Sequence, residues 1–301
     1  MNDDLAGFVA DVGPSGPVCV RGGGTQWHVG GAVASAATTV WAPIGVVEYE
    51  PEEMTVIVGA GTPVADLHVQ LALAGQRTNL VESPGSSVGG ALVVGRDGVH
   101  TLGRGRARDA LLQARYVSAE GALVTAGGPT VKNVTGFDLC RLLVGSLGTL
   151  GLLGEVILRT QPIPAAARWL QGEVDDPRVV ARTTRTASAV LWDGTTTWVH
   201  LEGHGTDLDT DAAALPGAFV EVDGPPTLPT HAWSMAPAEL VDLDPSATGP
   251  FVAEIGVGTV HATAPCPPVA VPDALRRLNQ SVRDRFDPDR RLNPGRDPLA
   301  A

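Results

Sequence analysis

Apolar residues follow two different periods along the first half of the chain. Short runs rich in β-branched residues, which are typical of strands, lie at 17–20, 46–49, 54–58, 111–117, 122–125 and 152–158. Helical spacing over 63–74, and further apolar stretches at 137–144 and 274–286, predict helices. The runs at 111–117 and 122–125 are separated by a turn and predict a hairpin. After Pro162-Ile163-Pro164 the pattern weakens, although 192–201 keeps strand character. The alternation predicts an α+β domain that ends near 162–165, followed by a smaller domain.

The helix predicted over 63–74 has signals at both ends. Thr62 is a residue type that favours the N-cap, and Pro63 suits the first helical position because its fixed φ matches the helix. Gly75 fits the position that follows a helix C-terminus, where a left-handed conformation is common. We therefore expect Thr62 to cap this helix and Gly75 to terminate it.

The composition is that of a folded chain. Of the 301 residues, 44% are hydrophobic and 18% are charged, which is enough apolar material for a packed core. No apolar run reaches the roughly 18 residues that a membrane-spanning helix needs. The first residues are acidic, whereas a secretion signal begins with basic residues. We therefore expect a cytoplasmic protein with no transmembrane segment.

Negative charge is concentrated in one part of the chain. The formal net charge is -12, and residues 186–275 contain 12 Asp and Glu but no Lys or Arg. Residues 276–296 then contain seven Arg. This basic segment could dock on acidic residues of this chain or of a partner, or both segments could be solvated faces. A basic surface for nucleic acid is not expected.

The distribution of metal-ligand residue types predicts no metal site. Cys19, Cys140 and Cys266 are far apart and form no Cys-x-x-Cys pair, so we expect no iron–sulfur cluster in this chain and no disulfide framework. His200 and His204 have the i, i+4 spacing of zinc ligands on a helix. The residues around them favour a strand, so zinc is not predicted there.

Glycine is the most informative residue type. The chain has 37 glycines, of which 27 lie in residues 1–160, and four glycine-rich segments lie at 21–25, 83–91, 131–138 and 145–151. In the first segment, three successive glycines after a strand can arrange backbone N–H groups around a phosphate. A purely structural turn is the alternative interpretation. The segment has neither the Rossmann nor the Walker spacing.

Taken together, these segments resemble the FAD-binding domain of the vanillyl-alcohol-oxidase-type (PCMH-type) flavoproteins and, within that superfamily, the FAD-binding subunits of glycolate oxidase. The matching residues are Arg21 to Thr25, Pro84 to Gly90, Thr130 to Asp138, Gly145 to Gly151 with Glu155, and the ending Phe286-Asp287-Pro288 with Leu292-Asn293-Pro294-Gly295. The resemblance covers 17–163 and 284–296. It implies a two-subdomain FAD-binding domain over 1–163, a small, truncated acidic α+β cap domain over 164–275, and a C-terminal segment, 276–301, that returns to the FAD-binding domain.

The resemblance also implies which residues contact FAD. They are Arg21, Gly22, Gly23, Gly24, Thr25, Gln26, Pro84, Gly85, Ser86, Val88, Gly89, Gly90, Gly145, Gly148, Thr149, Gly151, Val156 and Asn293. Residues 21–26 would surround the diphosphate, and 84–90 would line the dimethylbenzene and ribityl side. Members with covalent flavin often carry a His at the position of Thr25, so we expect non-covalent FAD.

The implied activity is oxidation of a small, anionic 2-hydroxy acid, with hydride transfer to flavin N5. Electrons would pass to an iron–sulfur subunit and a second flavin subunit of a hetero-oligomer. His100 and His261 are candidate general bases. Lys132 is a further candidate catalytic residue because it is the only lysine, with chance retention on a loop as the alternative. One alternative is an accessory subunit that holds FAD without a substrate site, since the acidic segment 186–275 would repel a carboxylate. Another is a stand-alone flavin dehydrogenase of a sugar or nucleotide-sugar.

Overall fold

The computed structural model describes residues 3–129, 138–265 and 270–300. The helices are α1 (Asp3–Val12), α2 (Val64–Ala72), α3 (Val88–Val94), α4 (Thr101–Arg104), α5 (Ala107–Ala110), α6 (Leu139–Leu143), α7 (Pro177–Thr183), α8 (Gly205–Ala213), α9 (Pro245–Thr248) and α10 (Asp273–Phe286). Two short 3-10 helices lie at Pro237–Asp242 and Pro298–Ala300.

The strands are β1 (Val18–Val20), β2 (Thr38–Val40), β3 (Val46–Glu50), β4 (Thr55–Gly59), β5 (Gln76–Arg77), β6 (Leu111–Val117), β7 (Leu123–Gly127), β8 (Leu152–Arg159), β9 (Gln161–Pro162), β10 (Ala166–Glu173), β11 (Ala187–Trp192), β12 (Thr196–Gly203), β13 (Phe219–Val222), β14 (His231–Ser234), β15 (Phe251–Glu254) and β16 (Thr259–Ala262). Helices and strands occur in similar amounts, and the predicted α+β class is confirmed.

The chain divides into two compact units. The first comprises Met1–Asp97, Arg106–Ile163 and Ala270–Ala301, and the second comprises Gly98–Gly105 and Pro164–Val269. Each unit is therefore built from segments that are separated in the sequence. The chain leaves the first unit for the eight residues 98–105, which the periodicity of the sequence did not indicate.

A five-stranded antiparallel sheet organises the first unit. Its order is β3-β4-β8-β6-β7, so β8 lies at the centre. All residues of β8 except the last are buried, which explains why the segment that predicted this strand is apolar apart from Glu155. The side chains of Leu5 and Phe8 on α1 pack near Gly154 of β8. A separate pair of parallel strands, β1 and β2, flanks residues 21–37, and the first glycine-rich segment directly follows β1.

The C-terminal segment is attached to the start of the first unit by a buried arginine. Leu292 forms a parallel bridge with Val18 of β1. The guanidinium of Arg291 donates to the carbonyl oxygens of five residues, at distances from 2.8 to 3.2 Å; these acceptors are Val12, Gly13, Ser15, Gly16 and Ala119. The fully buried Asp287 carboxylate accepts hydrogen bonds from the backbone N–H groups of Arg291 and Leu292. These bonds fix the segment that leads to Asn293.

The second unit contains a seven-stranded antiparallel sheet in the order β13-β10-β12-β11-β15-β16-β14. One side of the sheet carries the apolar residues that pack with α7 and α8, including Val199 and Leu201 of β12 and Val190 of β11. The other side carries Trp169 and Leu191. Alternation along β11 and β12 therefore supplies two different faces.

Two local predictions differ from the structure. Thr62 does not cap α2: its hydroxyl donates to the carbonyl oxygen of Gly59 at 2.6 Å, and Pro63 occupies the N-cap position. The run 192–201 is two strands, because Trp192 ends β11 before a turn that leads into β12. The first difference arises from a tertiary contact, since the N–H of Gly45 donates to the Thr62 hydroxyl at 2.8 Å. Gly75 has a φ of 66° and lies in the turn after α2, as predicted.

Candidate functional site

A cavity in the first unit is enclosed by segments that are far apart in the sequence. Its empty volume is about 850 Å³, including space that opens to solvent, and residues from 20–29, 42, 60–61, 86–94, 147–153 and 293–296 line it. Ligand sites in proteins commonly have volumes of roughly 300–1,000 Å³. Three of the four predicted glycine-rich segments therefore reach one cavity, which is large enough for a cofactor.

The first glycine-rich segment supplies unused hydrogen-bond donors. The backbone N–H groups of residues 22–26 donate to no acceptor among the described residues, whereas those of Arg21 and Trp27 on either side are hydrogen-bonded. Gly24 has a φ of 73°, a left-handed conformation that favours glycine. The buried Oε1 of Gln26 also lacks a partner among the described residues. Successive free N–H groups in such a turn are suited to the oxygens of an anion.

The N-terminus of α3 does not provide such donors, although it also lines the cavity. The N–H groups of Val88 and Gly89 donate to the carbonyl oxygens of Thr62 and Ala60, at 2.8 and 2.7 Å. The N–H of Gly90 donates to the hydroxyl of Ser87 at 3.2 Å, which caps the helix. The donors available for an anion are therefore those of residues 22–26 rather than those of this helix.

The first two glycine-rich segments pack directly against each other. A Cβ atom at Gly23 would collide with the carbonyl oxygen of Gly85, and one at Gly22 would collide with the hydroxyl of Ser87. These two glycines therefore allow the segments to approach each other closely. Both segments depend on each other for their positions at the cavity wall.

Asn293 holds the fourth glycine-rich segment next to β1. Its Nδ2 donates to the carbonyl oxygen of Leu147 at 2.7 Å, and its Oδ1 accepts from the N–H of Val20 at 3.1 Å. Leu147 and Asn293 both have positive φ values, of 53° and 42°. Because the side-chain amide is engaged on both sides, Asn293 lines the cavity mainly as a support for its neighbours.

One wall of the cavity combines an indole ring with two cations. The guanidinium carbon of Arg296 lies 4.6 Å from the ring centroid of Trp27, and that of Arg21 lies 5.5 Å from the same centroid. Arg21 is exposed, whereas Arg296 is buried. Burial lowers the pKa of the Arg296 guanidinium from its ordinary value. This wall is positively charged beside the unused N–H groups.

The structure brings most of the predicted cofactor contacts to the cavity. Those that line it are Arg21, Gly22, Gly23, Gly24, Thr25, Gln26, Ser86, Gly89, Gly90, Gly148, Gly151 and Asn293. Those that do not are Pro84, Gly85, Val88, Gly145, Thr149 and Val156. Val156 lies in the core within β8, and the N–H of Gly145 donates to the carbonyl oxygen of Leu92. The third glycine-rich segment, including Lys132, lies outside the described residues except for Asp138, whose carboxylate caps α6.

Sequence reasoning missed several lining residues. They include Val20, Trp27, Val29, Ala42, Leu147, Leu153 and Arg296. Trp27 directly follows the predicted segment 21–26, so its position in the sequence could have identified it as a residue that lines the cavity. Arg296 lay in a basic run whose individual residues could not be told apart by charge alone.

His261, a predicted candidate base, forms a pair with a buried carboxylate in the second unit. Its Nε2 lies 2.8 Å from Oε1 of Glu254, whose side chain is 2% exposed. The other carboxylate oxygen of Glu254 has no hydrogen-bond partner among the described residues. A carboxylate that accepts from Nε2–H fixes the tautomer in which Nδ1 carries the lone pair.

His100, the other predicted histidine base, lies in a cluster of aromatic and polar groups in the second unit. The ring of His200 lies 4.7 Å from that of His100 and 4.6 Å from that of Trp169. The hydroxyl of Ser188 lies 2.7 Å from Nδ1 of His200 and 3.3 Å from Nδ1 of His100. The Nδ1 atoms of both histidines thus lie close to one serine hydroxyl.

This cluster also contains ligand types that bind metals. One ligand atom each of His100, His200 and Glu202 lies within 4.8 Å of the others. Arg104 reaches both carboxylate oxygens of Glu202, with Nε donating to Oε2 at 3.2 Å and Nη2 to Oε1. A cation here would compete with Arg104 for this carboxylate. His204, the partner of His200 in the i, i+4 spacing, instead occupies the N-cap position of α8.

The features of the cavity fit a nucleotide cofactor that contains a diphosphate. Five N–H groups and one amide oxygen without partners among the described residues, together with two arginines beside one indole, lie within a volume of cofactor size. A diphosphate requires such hydrogen-bond donors and positive charge. Residues 3–127 match the family model of the FAD binding domain. Residues 3–127 are therefore similar to FAD-binding domains, and the cofactor of the chain is FAD.

Curated relatives relate the chain to FAD-linked oxidoreductases. It is 29% identical over 197 residues to glycolate oxidase subunit GlcE of Escherichia coli, an alignment that covers 62% of this chain and 56% of GlcE. It is 34% identical over 151 residues to D-lactate dehydrogenase of Archaeoglobus fulgidus, covering 48% of this chain and 33% of that protein. The chain therefore spans only part of these relatives.

Solved structures support the fold. An alkyldihydroxyacetonephosphate synthase superposes with a TM-score of 0.69 at 14% identity, covering 97% of this chain and 74% of that one. A BBE-like protein of Physcomitrella patens superposes with a TM-score of 0.52 at 18% identity, covering 72% of this chain and 52% of that one. At these identities, the similarity establishes the PCMH-type fold alone. Among the described residues, no helix is both long and apolar enough to cross a membrane.

Proposed function

We propose that the chain is the FAD-binding subunit of a glycolate-oxidase-like enzyme that oxidises a small 2-hydroxy acid. The observation that carries this proposal is that two relatives, GlcE and the D-lactate dehydrogenase, are named for glycolate and lactate, which are both 2-hydroxy acids. The cavity of the first unit supports the cofactor part of the proposal. A second flavin subunit and an iron–sulfur subunit would complete the assembly and carry the electrons away.

The residues of the first unit would bind and orient the cofactor. Bound FAD supplies a two-electron acceptor, flavin N5, for the hydride from the α-carbon of the substrate. The N–H groups of residues 22–26 would hold the diphosphate, since they have no other acceptor among the described residues. The side chain of Thr25 has no imidazole, so the cofactor would be held without a covalent bond through this position.

His261 is the proposed general base. Oxidation of the hydroxy acid to a 2-oxo acid transfers the α-hydrogen as a hydride and releases the hydroxyl proton to a base. Glu254 accepts from Nε2 of His261, which leaves the lone pair on Nδ1 free to take that proton. The Nδ1 of His100 instead lies beside the Ser188 hydroxyl. The geometry within the second unit therefore favours His261 over His100.

A second candidate function is an accessory subunit that holds FAD and has no substrate site. The ion pairing of the arginines in the second unit favours this accessory role. Arg104, Arg168, Arg178 and Arg182 form ion pairs with carboxylates, and the backbone N–H of Arg185 donates to the Asp211 carboxylate at 2.8 Å, which places that acidic group beside Arg185. Each of these cations thus has an acidic neighbour, which weakens its attraction for a substrate carboxylate.

Anaerobic flavin reduction separates the two functions. The purified protein is mixed with glycolate, D-lactate or other 2-hydroxy acids, alone and with candidate partner subunits, and the flavin absorbance is followed. A substrate site in this chain predicts bleaching by the protein alone, and His261→Gln should slow it by about 10²–10⁴-fold, the usual contribution of a general base. Bleaching only with partner subunits supports the accessory role. No bleaching under any of these conditions contradicts the proposal of 2-hydroxy-acid oxidation.

A further inference from the structure

Arg296 is a buried cation without a carboxylate partner. Its residue is 5% exposed, it lines the cavity, and its guanidinium forms no ion pair with any described carboxylate. Its side chain has one protein acceptor among the described residues, the carbonyl oxygen of Val29. Its other favourable contact is the face of Trp27. A buried charge ordinarily needs more compensation than one carbonyl and one aromatic face.

Three other buried or half-buried arginines, Arg291, Arg104 and Arg115, are compensated more fully. The guanidinium of Arg291 donates to five carbonyl oxygens. Arg104 pairs with Glu202, and Arg115 pairs with Glu155 at 2.8 Å. Arg296 thus differs from them in having no anion and few acceptors. Because Arg296 lines the cavity, an anion bound there would supply the missing compensation.

The position of Arg296 is fixed by its neighbours. Its backbone N–H donates to the carbonyl oxygen of Asn293 at 3.2 Å, and its own carbonyl oxygen accepts from Nη1 of Arg283 at 3.0 Å. Asn293 is in turn tied to β1 and to the fourth glycine-rich segment. The guanidinium is therefore presented to the cavity by a preorganised segment, so little entropy would be lost on binding an anion.

The geometry points to Arg296 as the counter-ion of the FAD diphosphate. Oxidised FAD has no other anionic group, and Trp27, on which Arg296 stacks, directly follows the segment 22–26 with its five unused N–H groups. Arg21 stacks on the same indole and adds a second positive charge. Arg296 is a cofactor-binding residue in this inference, which rests on FAD binding but not on the proposed substrate.

The test measures FAD affinity and apoprotein stability in the same variants. Arg296→Gln should weaken FAD binding by about 10- to 150-fold, the loss expected for a hydrogen bond to a charged group. Arg296→Lys should recover part of the affinity, because it retains the charge. Arg285→Gln is the matched control, since Arg285 is exposed in the same C-terminal segment, and should bind FAD as the wild type does. ADP, which contains the diphosphate without the flavin, should lose a similar factor with Arg296→Gln.

Apoprotein stability distinguishes a cofactor contact from a structural one. Removing an undercompensated cation should leave the Tm of the apoprotein unchanged or raise it, while the Tm increase caused by FAD becomes smaller. An equal fall in the Tm of apoprotein and holoprotein would show a structural role and overturn the inference. Unchanged affinity for oxidised FAD with a lower flavin reduction potential would also overturn it, since Arg296 would then stabilise the reduced flavin instead. Loss of substrate oxidation in a protein that still binds FAD through Arg296 would refute the proposed function alone.

Discussion

The buried guanidinium of Arg291 should be among the largest single contributions to the stability of the first unit. It connects the C-terminal segment to the chain around residues 12–16 and to Ala119. Two of its acceptors, the carbonyl oxygens of Val12 and Ala119, belong to buried residues, whereas Ser15 and Gly16 are exposed. Water can replace Arg291 at the exposed carbonyls after substitution. It cannot do so as readily at the two buried ones.

The expected magnitude follows from those two buried acceptors. Hydrogen bonds to a charged group contribute about 1.5–3 kcal/mol each. We therefore expect Arg291→Met to lower the free energy of unfolding by about 3–6 kcal/mol. For a chain of this size, each kcal/mol corresponds to a Tm change of roughly 2–4 °C, so the loss should be easy to resolve. Because Asn293 follows Arg291 closely, FAD retention should fall as well.

Thermal unfolding and denaturant titration, both followed by circular dichroism, measure this loss. Arg285→Met is the matched control, since it removes an exposed arginine from α10 and should change the free energy of unfolding by less than about 0.5 kcal/mol. Arg291→Lys should be nearly as destabilising as Arg291→Met, because one ammonium cannot reach acceptors arranged around a planar guanidinium. A Tm of Arg291→Met within about 2 °C of the wild type would refute the reasoning.

Three further substitutions or measurements test individual contacts. Gly23→Val should abolish FAD retention, because its side chain would collide with the second glycine-rich segment. Burial alone raises the pKa of Asp211, but hydrogen bonds from Thr186 and from the N–H of Arg185 outweigh it and hold the pKa below 3.8. Asp211→Asn should therefore cost about 1–3 kcal/mol at pH 7, and this difference should shrink below pH 4. Burial raises the pKa of the Cys140 thiol to about 11, so native Cys140 should resist alkylation at pH 8.

Each of these expectations has a control and a contrary outcome. Gly224→Val is the control for Gly23→Val, since a Cβ at Gly224 would meet no atom within 4 Å, and it should retain FAD. FAD content measured after acid precipitation decides that test, and normal content in Gly23→Val contradicts the assignment. Urea unfolding at pH 7 and pH 3.5 tests the expectation for Asp211→Asn. If this variant loses the same free energy of unfolding at both pH values, the charge of Asp211 is not the cause of the loss. Rapid labelling of Cys140 in the folded protein, mapped by mass spectrometry, would contradict the third.

Those parts of the fold that depend on local patterns were predictable from the sequence. The largely apolar run of β8 and the paired runs of β6 and β7 identified three adjacent strands of the sheet, since each run is long enough to define its own period. The division of 192–201 into β11 and β12 was missed, because both strands are rich in the same residue types. The predicted cap at Thr62 is wrong, because the hydroxyl is engaged with a tertiary partner at Gly45 in addition to Gly59.

The basic segment 276–296 shows why the site could be predicted only in part. Its arginines were expected either to dock on acidic residues or to be solvated. Neither interpretation describes Arg291 and Arg296, which are 6% and 5% exposed and lie against carbonyl oxygens of the first unit. Residue type and net charge cannot reveal this arrangement, because it depends on which carbonyls the fold leaves without partners. Arg276 and Arg277, by contrast, are exposed on α10.

The glycines that line the cavity have different structural roles, although a sequence motif does not distinguish between them. Gly24 has a positive φ and belongs to the segment with unused N–H groups, so its substitution should act on FAD affinity through the shape of that segment. Gly151 also lines the cavity, but a Cβ there would collide with the ring of Tyr116, a buried residue of β6. Its substitution should lower stability first and affinity only as a consequence. A loss of flavin after mutation therefore identifies a cofactor contact only where apoprotein stability is preserved, and this condition separates Gly24 from Gly151.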